Sequence, residues 1–361
     1  MKKIHNFIDK VATPGKKIKG KLKSLRQFPY KIEVVAEKLN VPWAMDISDD
    51  GKIYFTERAG LIRVIENGVL NPKPLITFEY PFISQGEGGL MGIALDPNFS
   101  QNHYMYVMHT YSDNNKILNR VIRLIERNAT LSIDRIIIDQ IPGSQFHNGG
   151  RIKVGPDNKL YITTGDAQNP PLSQDLSSLA GKILRIELNG NIPTDNPFPN
   201  SPVYSLGHRN PQGLAWNSMD MLYSSEHGQS AHDEINLIIP SGNYGWPLVQ
   251  GYESSSEISV EKPLIHSQED TWAPSGITFS NKGPWEDRLL VSNLHGQQLL
   301  VMSLSNNGSE ILNVESFLKN EYGRLRDVAQ DKDGSIYIAT SNRDGRGNPD
   351  ESDDKIIRLL F

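Results

Sequence analysis

Five segments of the chain are too polar and too rich in glycine to be plain framework, and each carries side chains that could do chemistry. Gln145-Phe-His-Asn-Gly-Gly-Arg151 presents His147 ahead of two glycines, where a backbone can turn sharply. An imidazole there suits general-base work near neutral pH, or simply bonds loop backbone. Gly207-His-Arg-Asn-Pro-Gln-Gly213 sets Arg209 beside Asn210. A fixed cation next to an amide donor can bind an anionic or carbonyl oxygen, or tie loops through their carbonyls. Residues 225–236 gather acids, two histidines and Gly228-Gln229, an oxygen-rich loop of the kind that suits Ca²⁺. His227 and His232 have no third nitrogen ligand at metal spacing, which argues against zinc. Gly323-Arg-Leu-Arg-Asp327 places Arg324 and Arg326 on one face of an extended segment. Two guanidinium groups so placed can clamp a polycarboxylate or phosphate, or pair with Asp327 and Asp331. Residues 340–354 form a long polar loop near the end of the chain. No dinucleotide fingerprint, P-loop or nucleophile elbow stands in a fitting context.

Such loops need a framework to hold them, and the sequence supplies a repetitive one. From about residue 31, short strand-like runs alternate with Asp-Gly, Asp-Asn and Pro turns. The stretch Ala44 to Ile65 is one unit: an apolar run, a turn, Lys52-Ile-Tyr-Phe-Thr56, a turn, then Leu61-Ile-Arg-Val-Ile65. Equivalent units begin near Ile93, Ile152, Leu214, Ile277 and Val328. Several strands per repeat, recurring at roughly 40–60 residues, are the signature of a β-propeller. The expected fold is all-β, a six-bladed β-propeller with four-stranded antiparallel blades. It would occupy residues 31–361, with sites on loops at one face.

Composition narrows the classes. A length of 361 residues alone suggests about two domains, although large all-β folds exceed that prior as one unit. Hydrophobic residues at 37% and charged residues at 22% fit an ordinary globular chain. No apolar run reaches the length of a spanning helix. The absence of cysteine excludes disulfides, zinc fingers, iron–sulfur clusters and a thiol nucleophile. Residues 1–26 hold nine of the 37 bases and one of the 42 acids; the rest therefore carries 28 bases against 41 acids, a net of −13. An acidic body argues against nucleic acid as a partner. Residues 1–30 read as a basic, solvated extension. They lack an apolar core and a small-residue cleavage site, so no export signal is read and a cytoplasmic location is the default expectation.

Taken in order, the motifs carry a resemblance. Val41-Pro-Trp-Ala44, Gly88-Gly-Leu-Met-Gly92, His147-Asn-Gly-Gly-Arg151, Gly207-His-Arg-Asn-Pro-Gln-Gly213, Asp233-Glu-Ile-Asn236, Gly242-Asn-Tyr-Gly-Trp-Pro247, Arg324-Leu-Arg-Asp327 and Ser341-Asn-Arg-Asp-Gly-Arg-Gly347 resemble the soluble quinoprotein glucose dehydrogenases and aldose sugar dehydrogenases, the glucose/sorbosone dehydrogenase family. The resemblance spans residues from about 33 onward. It implies oxidation of aldoses at C1 to lactones, with pyrroloquinoline quinone (PQQ) accepting hydride beside Ca²⁺ and an external acceptor reoxidising it. His147 would be the base and Arg209 would stabilise charge on the quinone oxygen. Arg209, Asn210, Arg324 and Arg326 would bind PQQ, and the backbone oxygens of Gly228 and Gln229 would bind Ca²⁺. Two cofactor positions depart from the family pattern: Glu87 stands where it has glutamine, and His295 where it has lysine. A carboxylate of a second, structural Ca²⁺ site falls at Ser254, so that site is not expected. Family members are typically periplasmic or secreted. The departures leave room for a redox-inactive propeller that binds carbohydrate or protein, and a Ca²⁺-dependent lactonase is a third reading. A monomer and a dimer are both compatible with the sequence.

Overall fold

A computed structural model describes residues 30–361; the basic extension lies outside the described residues. Six antiparallel sheets follow one another along the chain. The first blade is built from Pro42–Ile47, Ile53–Glu57 and Leu61–Glu66, with two short pieces, Val69–Leu70 and Ile76–Thr77, sharing the outer edge. The next four run outward from Leu90–Leu95, Ile152–Val154, Pro211–Trp216 and Pro274–Phe279 to Thr130–Pro142, Val203–Leu206, Ile265–His266 and Ile311–Phe317. The sixth uses Leu325–Gln330, Ile336–Thr340 and Ile356–Leu360, and its outermost strand is Lys31–Ala36 from the other end of the described chain. Each innermost strand packs on the next, and the sixth on the first. The six-bladed propeller expected from the repeats is therefore present.

Alternation explains the core. Val, Ile, Leu and aromatic residues of each sheet pack against the facing sheet of the neighbouring blade. Tyr161 and Ile183 of the third blade meet Leu214 and Leu222 of the fourth, and Phe55 of the first meets Tyr337 and Ile356 of the sixth. No blade buries both faces alone, so the ring is the folding unit. Among the described residues no helix is long and apolar enough to cross a membrane.

The axis is filled by polar groups. Arg151, just ahead of the innermost strand of the third blade, pairs with Asp327 on that of the sixth at 3.0 Å. These blades are three apart in a ring of six, so the pair spans the axis. Arg151 Nε also donates to the Gln212 carbonyl of the fourth blade at 2.9 Å, and its guanidinium lies 4.6 Å from the Trp43 ring of the first. Asp327 Oδ2 accepts the Met45 N–H at 2.7 Å. The fifth blade approaches through Gly276, where any Cβ would collide with Asp327 Oδ1.

Local geometry aims these groups. In five of the six blades the pairing of the innermost strand shifts register at its start, between Pro42 and Ala44, Leu90 and Ile93, Pro211 and Gly213, Pro274 and Ile277, and Leu325 and Asp327. A bulge leaves a residue unpaired and re-aims its side chain. The residues so released include Trp43, Gln212, Ser275 and Arg326. Arg326 Nη1 lies 3.3 Å from Gln212 Oε1 and 3.5 Å from Ser275 Oγ, with Trp43 at 5.5 Å.

Removing one member of a buried ion pair strands the other. Arg151→Met should destabilise the fold by about 3–5 kcal/mol in denaturant unfolding. Arg151→Met with Asp327→Leu should recover part of that loss. A single variant as stable as the parent would show that the axial pair does not hold the ring.

Candidate active site

In an antiparallel blade the first strand begins where the second ends. The loop entering the innermost strand and the loop leaving the second strand therefore share one end of the propeller. Entering loops carry Glu87, His147, Arg209, Asn210 and Arg324; leaving loops carry Asp166, His227, Gly228, Gln229, His295, Asp344 and Arg346. A cleft of about 630 Å³ lined by Ser48, Asp50, Lys52 and Glu126 opens at the other end, away from all of these.

His147 is held tightly. Its backbone lies in the left-handed region at φ 59°, a conformation that costs a non-glycine residue about 1–3 kcal/mol and needs support. Its N–H donates to Glu87 Oε2 at 3.1 Å and its carbonyl accepts the Ala167 N–H at 3.1 Å. Asn148 closes the loop through Ser144 and is itself fixed by Asn119 Nδ2 at 3.0 Å. Gly149 and Gly150, at φ 66° and 109°, then turn the chain into the strand.

The imidazole bridges two charges. Nδ1 lies 2.8 Å from Asp166 Oδ1, and Nε2 lies 3.0 Å from Arg209 Nη2. A guanidinium can only donate, so Nε2 holds a lone pair and Nδ1 carries the proton. Asp166 is fully buried; its other oxygen accepts the Trp246 indole N–H at 2.9 Å. This fixes one tautomer and presents a base.

Around it lie cations. Burial lowers the pKa of Arg209, whose Nη1 reaches the His227 carbonyl at 3.4 Å. Glu226 anchors the turn by accepting the N–H groups of Arg209 and Asn210 while its second oxygen bonds His208. Asn210 spends its carbonyl oxygen on the Gly149 N–H and Gln212 Nε2, which leaves its NH₂ as the available end. Arg324 pairs with Asp344 at 2.8 Å, and Arg326 approaches the same carboxylate at 3.8 Å. The carboxylate partner of these arginines is thus Asp344, and not Asp327 or Asp331; Asp327 is committed to Arg151. Burial would raise the Asp344 pKa, but Arg326 and Arg324 outweigh it and hold the group ionised. Burial pulls Arg326 down to about 10 and His227 to about 4, so at neutral pH the first is charged and the second is not.

Among the described residues three buried nitrogens here have no partner: Arg209 Nε, Arg326 Nε and His227 Nε2. Buried polar groups are normally satisfied. Unspent donors on two arginines fit a polyanionic planar ligand, so the residues present suit PQQ. The carbonyl oxygens of Gly228 and Gln229 accept no hydrogen bond among the described residues, and such oxygens are the donor class Ca²⁺ takes. No group of three His, Asp or Glu side chains that could hold a metal stands among the described residues, so backbone oxygens are what this chain offers. His295 is exposed at the rim.

Comparisons with known proteins show the family and the fold. The family model for glucose / sorbosone dehydrogenase matches residues 39–358. The chain belongs to the glucose/sorbosone dehydrogenase family. It is 32% identical to the aldose sugar dehydrogenase YliI of Escherichia coli, over 87% of this chain and 91% of that one. It is 36% identical to quinoprotein glucose dehydrogenase B of Acinetobacter calcoaceticus, over 69% of this chain and 58% of that one. Among solved structures, the PQQ-bound aldose sugar dehydrogenase of Streptomyces coelicolor superposes with a TM-score of 0.83 at 36% identity, covering 91% of this chain and 98% of that one. The glucose/sorbosone dehydrogenases are oxidoreductases acting on small-molecule sugars, and membership supports dehydrogenase activity in general.

Sequence reasoning missed Asp166, Trp246, Asp344 and the role of Arg346. Trp246, Asp344 and Arg346 lie in motifs whose neighbours drew attention and Asp166 lies outside them, but in each case the partner is distant in sequence. If Asp166 sets the tautomer, nitrogen NMR of the free protein should show His147 protonated at Nδ1. Asp166→Asn should raise the Nε2–H form. An Nε2–H tautomer in the parent protein would contradict the arrangement.

Proposed function

We propose that this protein oxidises aldose sugars at C1 to lactones, with His147 as the general base. The observation that carries the reading is the single imidazole bonded to a buried carboxylate on one nitrogen and to an arginine on the other. When bound, PQQ supplies the hydride acceptor, and Ca²⁺ beside it supplies Lewis-acid polarisation.

The residues then have separable tasks. His147 Nε2 takes the C1 hydroxyl proton once the sugar displaces the Arg209 N–H that caps its lone pair. Asp166 stabilises the imidazolium that results, as a buried carboxylate does in hydrolase triads. Arg209, so released, is left to face developing negative charge. Arg324 and Arg326 would hold carboxylates of the cofactor, Asn210 would offer its amide NH₂, and the Gly228 and Gln229 carbonyls would hold the metal. Hydride leaves C1 as its hydroxyl proton leaves for His147, so the sugar loses two electrons and two hydrogens. An external acceptor must later remove the electrons. The redox-inactive reading rested on Glu87 and His295. Glu87 loses force as support for it, because its charge is paired with Arg346 at 2.6 Å.

Purified protein preincubated with PQQ and Ca²⁺ should reduce a redox dye when given an aldose. EDTA, or omission of PQQ, should abolish the rate. His147→Gln should lower kcat by about 10²–10⁴-fold while leaving PQQ binding intact. No rate with any aldose, together with no PQQ uptake, would overturn the proposal.

A further inference from the structure

We propose that Glu87 and Arg346 form an ion-pair strap that positions His147 and cancels a negative charge at the mouth of the site. On this view Glu87 is a positioning residue and does not contact the cofactor. The inference rests on the reading of His147 as the base.

The strap has a definite course. Glu87 lies in the loop entering the second blade, and Arg346 lies in the loop leaving the second strand of the sixth. The first blade stands between them, so the contact passes over its end. Arg346 Nη1 meets Glu87 Oε1 at 2.6 Å, while Glu87 Oε2 receives the His147 N–H at 3.1 Å. The Arg346 guanidinium also lies 5.5 Å from the ring of Phe146, the residue before His147. At the other end, the Arg346 N–H donates to Asp344 Oδ1 at 2.9 Å, and Asp344 Oδ2 holds Arg324. A continuous set of contacts thus links an arginine assigned to the cofactor with the backbone of the base.

Chemistry explains why position 87 is a carboxylate. Both of its oxygens are spent on donors, one guanidinium and one backbone N–H. A glutamine has one acceptor oxygen, and its NH₂ would face one of those donors. Glutamate here and arginine at 346 therefore belong together. Burial alone would push the Glu87 carboxyl up, but Arg346 and the His147 N–H outweigh it and keep it ionised. With its charge paired to Arg346, Glu87 adds no net repulsion to an anion bound beside Arg324 and Arg326. The strap also supports a strained residue: without Glu87, the His147 N–H loses its acceptor while the backbone stays at a positive φ.

The test uses full-length Arg346→Met, Glu87→Gln, the double variant and Glu87→Ala. PQQ is titrated against each protein with Ca²⁺ and no sugar, and His147 imidazole signals are followed by NMR without cofactor. Arg346→Met should weaken PQQ binding about tenfold by leaving Glu87 uncompensated. Adding Glu87→Gln should restore affinity to within about threefold of the parent, a coupling that a purely structural role would not produce. Glu87→Gln alone should bind no more weakly than the parent. Glu87→Ala should shift or broaden the His147 signals. Parent-like PQQ affinity in Arg346→Met, or unmoved His147 signals in Glu87→Ala, would overturn the strap. A parent protein that takes up no PQQ would sink the proposed function, and the His147 signals would then decide the strap by themselves.

Discussion

An arginine and an aspartate from opposite blades meet on the propeller axis, and the geometry of the site depends on them. Arg151 and Asp327 are almost wholly removed from water, and between them they bond or touch five of the six blades. A buried pair of this kind is poor value as raw stability, because desolvating both charges offsets most of their attraction. Its contribution is geometric. It closes the ring's centre with groups that accept only one arrangement, so the bulged starts of the innermost strands converge at fixed positions. Gln212 and Arg326, released by those bulges, join the axial pair to Asn210 and the arginines above it.

Closing the axis also makes the site one-ended. Groups above the plug are shielded on one side by protein, which strengthens every electrostatic interaction they make. The costs are visible: half-buried Arg209 and buried Arg326 each have a nitrogen without a partner among the described residues, and half-buried His227 is neutral. Unspent polarity of this kind at one end of the propeller suits a ligand, although framework residues such as Arg151 and Asn293 also carry an unpartnered atom among the described residues. The contrast with Lys182 is instructive. That lysine is fully buried, but its ammonium group is surrounded by the carbonyls of Leu172, Ser173 and Ala180, so it holds a turn and has nothing left to offer a ligand.

The sequence exposed the repeats because the inner three strands of each blade are long enough to show alternation between turns. It hid most outer strands. Ile265–His266 and Val69–Leu70 are too short to carry a period, and Lys31–Ala36 pairs with Ile356–Leu360, a partner no local pattern reveals. The same division holds at the site. His147 and Arg209 stood out because glycines flank them and because their motifs resemble a known family. Asp166 is an unremarkable aspartate after Thr164-Gly165, and only folding brings it to the imidazole. Glu87 read as a liability for an anionic cofactor because Arg346, 259 residues away, was not yet its neighbour.

The proposed chemistry is removal by His147 of a proton from a sugar held beside a cofactor at this end of the propeller. The most direct measurement is a single turnover without any electron acceptor: protein loaded with PQQ and Ca²⁺, freed of excess cofactor, is mixed anaerobically with an aldose while the cofactor's absorbance is followed. The account predicts complete conversion of the bound quinone to its reduced spectrum, one sugar consumed per cofactor, and slow or absent conversion in His147→Gln. Retained PQQ whose spectrum no aldose alters, or conversion in His147→Gln as fast as in the parent, would contradict it.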